Sequence, residues 1–298
     1  KAGQTGCSSC LSCLLSLPFE IIEAKMVTQI TSAKNPKVKH AYALRERRER
    51  DREGVTILEG YRELSRALAL GIRIRECFCC PELYLGENEN KLIADIEHSG
   101  AEIYETTKEI LIKLAYRDRP EGLIAIAEMK KKGLESMPVR KDGLYLVAET
   151  IEKPGNLGSI LRSADAVGAT GVIICNRQTD IFNPNVIRAS TGAIFSVPLV
   201  ETSSGEALEW LRRHGIRTLA ATPHTDRVYT ENDMTCGTAI VVGAEQYGLS
   251  DYWMNSADVQ VVIPMLGKMD SLNVATAATL LLYEAARQRK WKPSNQSS

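Results

Sequence analysis

From residue 144 onward, short apolar runs recur along the chain. Each ends in a loop carrying Gly, Pro or Asn and is followed by a stretch of helical periodicity. The pattern predicts strands at 144–149, 171–174, 194–200, 217–221, 239–242 and 259–263, and helices at 157–167, 184–190, 204–213 and 273–289. Alternating strands and helices form a mostly parallel sheet covered by helices, so the fold class is α/β. Ligands of such sheets lie at the carboxyl ends of the strands, where the conspicuous loops fall.

The preceding hundred or so residues show a tighter version of the same alternation. A basic helix is predicted at 37–50, opened by Thr31, Ser32 and the Asn35-Pro36 pair. Strand 55–58 and helix 61–70 follow. A strand through Ile74 and Cys77 to Cys80 comes next, then helix 88–98, strand 101–104, helix 107–114 and strand 122–128. Residues 130–143 are charged, contain Gly and Pro, and read as a linker. The expected organisation is an extension at 1–25, a smaller α/β domain at 26–129, the linker 130–143 and a larger α/β domain at 144–298.

Composition adds limits. The 298 residues are 44% apolar and 25% charged with zero formal net charge, typical of a globular protein. No apolar run is long enough for a membrane span. The first 25 residues are rich in Cys and Ser and precede Met26. They lack the basic start and cleavage site of a signal peptide, and Met26 reads as the natural start. There, Cys7, Cys10 and Cys13 imitate three ligands of an iron–sulfur motif, but Leu17 stands where the fourth is needed. Cys77, Cys79, Cys80, Cys175 and Cys236 sit in apolar runs or near a turn and behave as small hydrophobes, which points to a reducing, cytoplasmic compartment. His40, His98, His214 and His224 have no metal-ligand spacing, so no metal is expected. P-loop, dinucleotide and nucleophile-elbow motifs are absent.

Three loops are candidates for chemistry. In "TIEKPGNLGSILRSADAVGATGVII" a strand ends at Glu149 and a Pro-Gly-Asn-Leu-Gly turn opens a helix that carries Arg162. A tight turn accounts for Gly155 and Gly158 but not for Asn156 and Arg162, which could flank one site with Asn156 in the loop. In "AIVVGAEQYGLS" a strand runs into Gly243, Ala244 and Glu245; Gly permits close backbone approach, and a carboxylate after a buried strand needs a partner. In "VVIPMLGKMDSLNVATAATLLLYE" Asp270 or Ser271 is expected to cap the last helix, with Asn273 in its first turn and the helix dipole facing the loop. Capping alone leaves Pro264, Met265, Gly267 and Asn273 unexplained.

In order and spacing, "NLGSILRSADAVGATGVII", "VVGAEQYGLS" and "VIPMLGKMDSLNVATAATLLLYE" closely resemble the three motifs of SpoU-type RNA 2′-O-ribose methyltransferases of the SPOUT class. The likeness spans residues 144–290. Residues 26–128, opening with "ITSAKNPKVKHAYALRERRERDREGVTILEG", resemble the ribosomal-protein-like RNA-binding domain found in part of that family. The resemblance implies a trefoil knot in the C-terminal domain, S-adenosylmethionine as methyl donor, and a homodimer through that domain whose active site draws on both subunits. It implies a cofactor pocket walled by Leu219, Ala220, Ala221 and Thr222, by Gly243 and Glu245, and by Ile263, Met265, Ser271 and Leu272. It maps the family's key arginine onto Arg162, with Asn156, Glu245, Ser271 and Asn273 completing the catalytic set.

A protonated guanidinium has no acceptor with which to activate a hydroxyl. Arg162 is therefore better suited to gripping an RNA phosphate and orienting the ribose. Asn156 and Asn273 can donate or accept, and Glu245 could accept from Asn156. The further RNA grip is expected from Lys34, Asn35, Lys37, Lys39, Arg45 and Arg48, within a basic run that also holds Arg47, Arg50 and Arg52, and more weakly from Arg117 and Arg119. Ion pairs with Glu46, Glu49 and Asp51 are the competing explanation for residues 45–52. Ribosomal RNA is the favoured substrate. The alternatives are a transfer RNA 2′-O-methyltransferase, a base methyltransferase, and a non-catalytic RNA-binding or ribosome-assembly protein on the same scaffold.

Overall fold

The computed structural model describes residues 27–129 and 131–291. The extension 1–25 with its three cysteines, and Lys130 at the head of the expected linker, lie outside the described residues.

The N-terminal half runs β1 (Thr28–Ile30), α1 (Pro36–Ala43), α2 (Arg47–Glu53), β2 (Val55–Glu59), α3 (Tyr61–Ala69), β3 (Ile74–Cys79), α4 (Glu89–His98), β4 (Glu102–Thr106), α5 (Lys108–Leu114) and β5 (Leu123–Glu128). Its five strands form a mixed sheet in the order β1-β4-β3-β5-β2, with β5 antiparallel to both neighbours. The pleat sends alternate side chains to opposite faces. Ile57, Phe78, Ile124 and Ile126 join a core under α1 and α5, while Leu58, Cys77, Cys79 and Ala125 face α3 and α4.

The C-terminal half runs β6 (Leu144–Glu149), α6 (Pro154–Ala166), β7 (Gly171–Cys175), α7 (Pro184–Ala189), β8 (Leu199–Thr202), α8 (Ser204–Arg213), β9 (Arg217–Ala221), β10 (Thr238–Val242), α9 (Asp251–Ser256), β11 (Val259–Val261) and α10 (Val274–Gln288). All six strands are parallel, in the order β11-β9-β10-β6-β7-β8. Strands β6, β7 and β10 are buried on both faces, the expected state of a parallel sheet between helices. Leu144, Leu146 and Ala148 pack with α6 and α10, whereas Tyr145 and Val147 pack with α8 and Trp253 of α9. The first of these cores continues into the α3 and α4 face of the N-terminal sheet, so the two halves share one apolar layer.

Four sequence expectations change. The basic helix at 37–50 is two helices. Between them Arg45 N–H and Glu46 N–H turn back to the carbonyls of Tyr42 and Ala43 at 3.1 and 3.0 Å. Arg50 Nη1 takes the freed carbonyls of Leu44 and Arg45 at 2.9 and 2.7 Å. The strand expected at 194–200 begins only at Leu199, because Pro198 has no N–H for a ladder; Ala193–Phe195 is a single 3-10 turn. The short edge strand β1 is an addition, paired parallel to β4. Within 130–143, Met137 is buried against the C-terminal sheet, where a side chain on Gly171 would meet its sulfur at 2.1 Å.

Candidate active site

The loops after β6, β10 and β11 converge on one carboxylate. Glu245 Oε1 accepts from Asn273 Nδ2 at 2.9 Å and from Asn156 Nδ2, and Oε2 pairs with Lys153 Nζ. Asn273 Nδ2 also reaches Asn156 Oδ1 at 3.2 Å. The Asn273 amide cannot turn round, because its Oδ1 accepts the Ala275 and Thr276 N–H groups at 3.0 and 3.4 Å. The Glu245 side chain is 27% exposed, so the cluster is open to solvent on one side. The bond to Glu245 and its charge raise the Lys153 pKa, which keeps this lysine cationic.

Three expectations about these segments are corrected. Asn273 itself, with φ −54° and ψ 138°, is the N-cap of α10; Ser271 and Asp270 are exposed and do not cap it. Only Asn273 stands next to Val274, so only its side-chain oxygen reaches the first free N–H groups. Asn156 is not in a loop. It lies in the first turn of α6, where Pro154 sets the opening backbone angle and Lys153 is the cap residue. Gly158 is not a turn glycine either. It faces α7, where a Cβ would stand 2.4 Å from Ala189 Cβ, so its role is close helix packing.

A second carboxylate holds the loops from below. Glu149, at the end of β6, is 1% exposed. It accepts from Ser204 Oγ at 2.7 Å, Asn176 Nδ2 at 3.2 Å, and Ser250 N and Oγ at 2.8 Å each. These donors follow β7, β8 and β10, so one buried charge, fully hydrogen-bonded, fixes the rim of the sheet. Thr150 beside it has φ +52°, an uncommon conformation for a β-branched residue. Sequence reading missed both Glu149 as an anchor and Lys153 as a partner of Glu245. The signal for Lys153 was a lysine directly before the Pro-Gly-Asn turn.

The expected cofactor walls lie at the ends of β9, β10 and β11, which neighbour one another in the sheet. Leu219 and Ala220 are fully buried within β9, with side chains in the two cores. Ala221 and Thr222 reach the strand end, where Thr222 N–H bonds Val261 O at 2.9 Å. Gly243 lies under the turn Ala244–Gly248, and a Cβ there would stand 2.2 Å from the Gly248 backbone. Ile263 and Met265 are half-buried, while Ser271 and Leu272 are exposed. Half-buried apolar groups beside tight backbone suit an uncharged heteroaromatic ring. Arg162 is on the exposed face of α6, and its side chain makes no hydrogen bond or salt bridge to any described residue. No group of three or more His, Cys, Asp or Glu among the described residues could hold a metal, and no described helix is long and apolar enough to cross a membrane.

The cationic residues of the N-terminal half divide. Lys34, Lys39 and Arg48 are exposed, and their side chains have no described partner. Asn35 caps α1 by accepting from Lys37 N at 2.9 Å. Lys37 pairs with Glu76 and Glu102, each at 2.7 Å. Burial alone would lower its pKa, but the hydrogen bonds to Glu102 and Glu76 raise it above the ordinary lysine value. Arg45 donates to Lys113 O and Ala115 O at 3.3 and 3.0 Å and stacks over Tyr116. Arg50 and Arg117 are not surface cations as expected. Arg50 is 4% exposed and pairs with Asp180 at 2.7 Å. Arg117 is tied to Glu63, Glu121 and the Glu59 carbonyl.

The chain is similar to known proteins over most of its length. Residues 143–283 match the SpoU rRNA Methylase family and residues 35–125 match an MRM3-like substrate binding domain. The chain is 35% identical over 253 residues to the 23S rRNA (uridine(2479)-2′-O)-methyltransferase of Streptomyces viridochromogenes, covering 82% of this chain and 86% of that one. A crystal structure of an RNA 2′-O ribose methyltransferase superposes with TM-score 0.79 at 42% identity, covering 88% of this chain and all of the other. The SpoU methyltransferase AviRb from Streptomyces viridochromogenes, in complex with AdoMet, superposes with TM-score 0.78 at 34% identity, over 86% and 99% of the two chains.

Proposed function

The chain belongs to the SpoU rRNA methylase family, and from that premise we propose that it transfers a methyl group from S-adenosylmethionine to a ribose 2′-hydroxyl of RNA, ribosomal RNA in preference to transfer RNA. The observation that carries the reading is the meeting of Lys153 and Asn156 at the start of α6, Glu245 after β10 and Asn273 at the cap of α10, at the carboxyl edge of a parallel sheet.

Ala221, Ile263, Met265 and the backbone around Gly243 would hold the adenosyl part of the cofactor, which supplies an electrophilic sulfonium methyl. The protein's share of the work is positioning. Glu245 takes the amide hydrogens of Asn156 and Asn273 and so fixes which way their carbonyl oxygens point. Arg162 grips an RNA phosphate and turns the ribose hydroxyl toward the methyl group, and much of the rate comes from that alignment. The exposed Lys34, Lys39 and Arg48 add phosphate contacts, so RNA affinity falls steeply with salt. The reading includes the threading of the last segments into a trefoil knot and pairing of two copies through the C-terminal half. The packing of α10 on α6 and the exposed Leu280 and Tyr283 on α10 support it.

The test uses labelled S-adenosylmethionine and ribosomal RNA, followed by nuclease digestion to locate the methyl group. Label on a 2′-oxygen is the expected result; label on a base, or none, sinks the proposal. In the same assay Arg162→Ala abolishes transfer and leaves cofactor affinity nearly intact. Loss of cofactor affinity with Arg162 removed would overturn its phosphate-gripping role.

A further inference from the structure

Among the described residues, the large apolar side chains most open to solvent are Leu266, Leu85, Tyr247 and Met269, at 100, 78, 77 and 72%. Single exposed apolar residues are ordinary on a protein surface, whereas a group of them marks a place of contact. Three of these four stand on the two loops that the Glu245–Asn273 bond joins. Leu266 and Met269 lie between β11 and α10, and Tyr247 lies in the turn after β10.

Tyr247 is the one whose backbone is held from several sides. Its turn is closed by Gly248 N–H donating to Ala244 O at 2.9 Å, with Gly248 at φ +68°. Gly243 packs so closely beneath that an added Cβ would stand 2.2 Å from the Gly248 backbone. On one side Glu245 ties the turn to Asn156, Asn273 and Lys153. On the other, Leu249 is buried, and Ser250 N and Oγ donate to Glu149 at 2.8 Å each. A turn fixed in this way does not swing inward to bury the ring. The Tyr247 side chain makes no hydrogen bond, ion pair or ring contact with any described residue.

A flat ring held out to solvent without a partner is a platform for another flat ring, and the reaction brings two. One is the adenine of the cofactor, for which the half-buried Ala221, Ile263 and Met265 already provide. The other is the base carried by the ribose that receives the methyl group. Tyr247 is two residues from Glu245, so their Cα atoms lie within about 7 Å. The ring therefore stands beside the Asn156–Glu245–Asn273 cluster, where that ribose has to be aligned. We propose that Tyr247 stacks on the base of the nucleotide being methylated and holds it splayed from its neighbours. Proteins grip unpaired RNA bases in this manner. Every base has a π-face, so the contact positions the nucleotide without choosing its identity. The inference rests on the RNA methyltransferase reading and names how that site holds its target.

The experiment measures methylation of ribosomal RNA with labelled S-adenosylmethionine by the full chain and by Tyr247→Phe, Tyr247→Leu and Tyr247→Ala. Loss of one stacked base lowers kcat/KM for RNA about thirty-fold in Tyr247→Ala. Tyr247→Leu, with apolar bulk but no ring, loses roughly ten-fold, and Tyr247→Phe, which keeps the ring, stays within about two-fold. All three variants bind S-adenosylmethionine, sediment and unfold as the unaltered protein does. A second measurement uses a synthetic RNA of the region that nuclease digestion identifies, with the methylated nucleotide intact or lacking its base. The missing base costs the unaltered protein about thirty-fold and Tyr247→Ala almost nothing, because the ring it would stack on is already gone. Equal penalties in the two proteins overturn the proposal, as does a Tyr247→Phe protein as impaired as Tyr247→Ala. A Tyr247→Ala protein that sediments at half the mass also overturns it and gives the ring to a second copy of the chain. Should the synthetic RNA be no substrate, the series on ribosomal RNA decides. If ribosomal RNA is methylated equally well by Tyr247→Ala, this inference fails alone; if the unaltered chain methylates no RNA, the methyltransferase reading fails with it.

Discussion

Asn273 and Glu245, 28 residues apart in sequence, meet at 2.9 Å through the amide hydrogens of one and the carboxylate of the other. The contact joins the start of α10 to the loop after β10. Glu245 simultaneously receives Asn156 and Lys153, so three donors depend on two oxygens. Glu245→Gln replaces one acceptor oxygen with an NH₂ group that opposes those donors, and the Asn156 and Asn273 amides lose their fixed orientation. Initial rates at saturating RNA and cofactor should fall about 100-fold, the scale of a small misplacement in a positioned reaction. A rate within a few-fold of the unaltered protein would remove Glu245 from this role.

The two jobs of Asn273 can be separated. Its oxygen caps α10 and its nitrogen serves Glu245. Asn273→Ala loses both and should cost about 1 kcal/mol of stability, the usual value for a helix cap. Asn273→Asp keeps a capping oxygen but sets a second carboxylate against Glu245. It should unfold at nearly the same temperature as the unaltered protein and yet methylate poorly. An active Asn273→Asp enzyme would show that only the cap matters.

Asn156 beside Gly155, and Glu245 directly after a buried strand, stand out by residue type, and Asn273 stands out as part of a loop that capping leaves unexplained. That the three belong to one site follows from the resemblance to the methyltransferase motifs, not from the residues alone. Their exact stations could not be read, because Asp270, Ser271 and Asn273 are all capable caps and only the backbone angle at Asn273 decides. Lys153 escaped notice because its partner is 92 residues away. Arg50 was misplaced for a related reason. A charge run gives no sign of which member turns inward, and the acid that receives it lies in the other half of the chain. The alternation of buried strands was readable nearly throughout, failing where Pro198 interrupts an apolar run.

The turn that carries Glu245 offers a steric test. A methyl group on Gly243 would lie 2.2 Å from the Gly248 backbone, far inside van der Waals contact, and neither segment is a flexible side chain that could move aside. Gly243→Ala should therefore displace residues 244–248 and abolish measurable S-adenosylmethionine binding by calorimetry. Gly267, in the loop before α10, has nothing within 4 Å of an added Cβ. Gly267→Ala is the matched control and should bind the cofactor as before. Equal binding by both variants would place the cofactor elsewhere.

The buried pair Arg50–Asp180 joins the two halves of the chain, with side chains 4% and 7% exposed at 2.7 Å. Asp180 also accepts from Phe182 N at 3.1 Å, and Thr56 donates to Phe182 O at 2.7 Å, so the same short segment is held from three directions. Removing one partner of such a pair leaves the other charge without compensation in a dry environment, which costs about 3–5 kcal/mol. Arg50→Ala also abandons the Leu44 and Arg45 carbonyls that the guanidinium accommodates. Urea unfolding should show the loss as a lower midpoint, whereas Arg48→Ala, two residues away and exposed, should leave the midpoint unchanged and weaken RNA binding. Were the two variants to exchange behaviours, Arg50 would be an RNA contact and the junction between the halves would have to be held by the shared apolar layer alone.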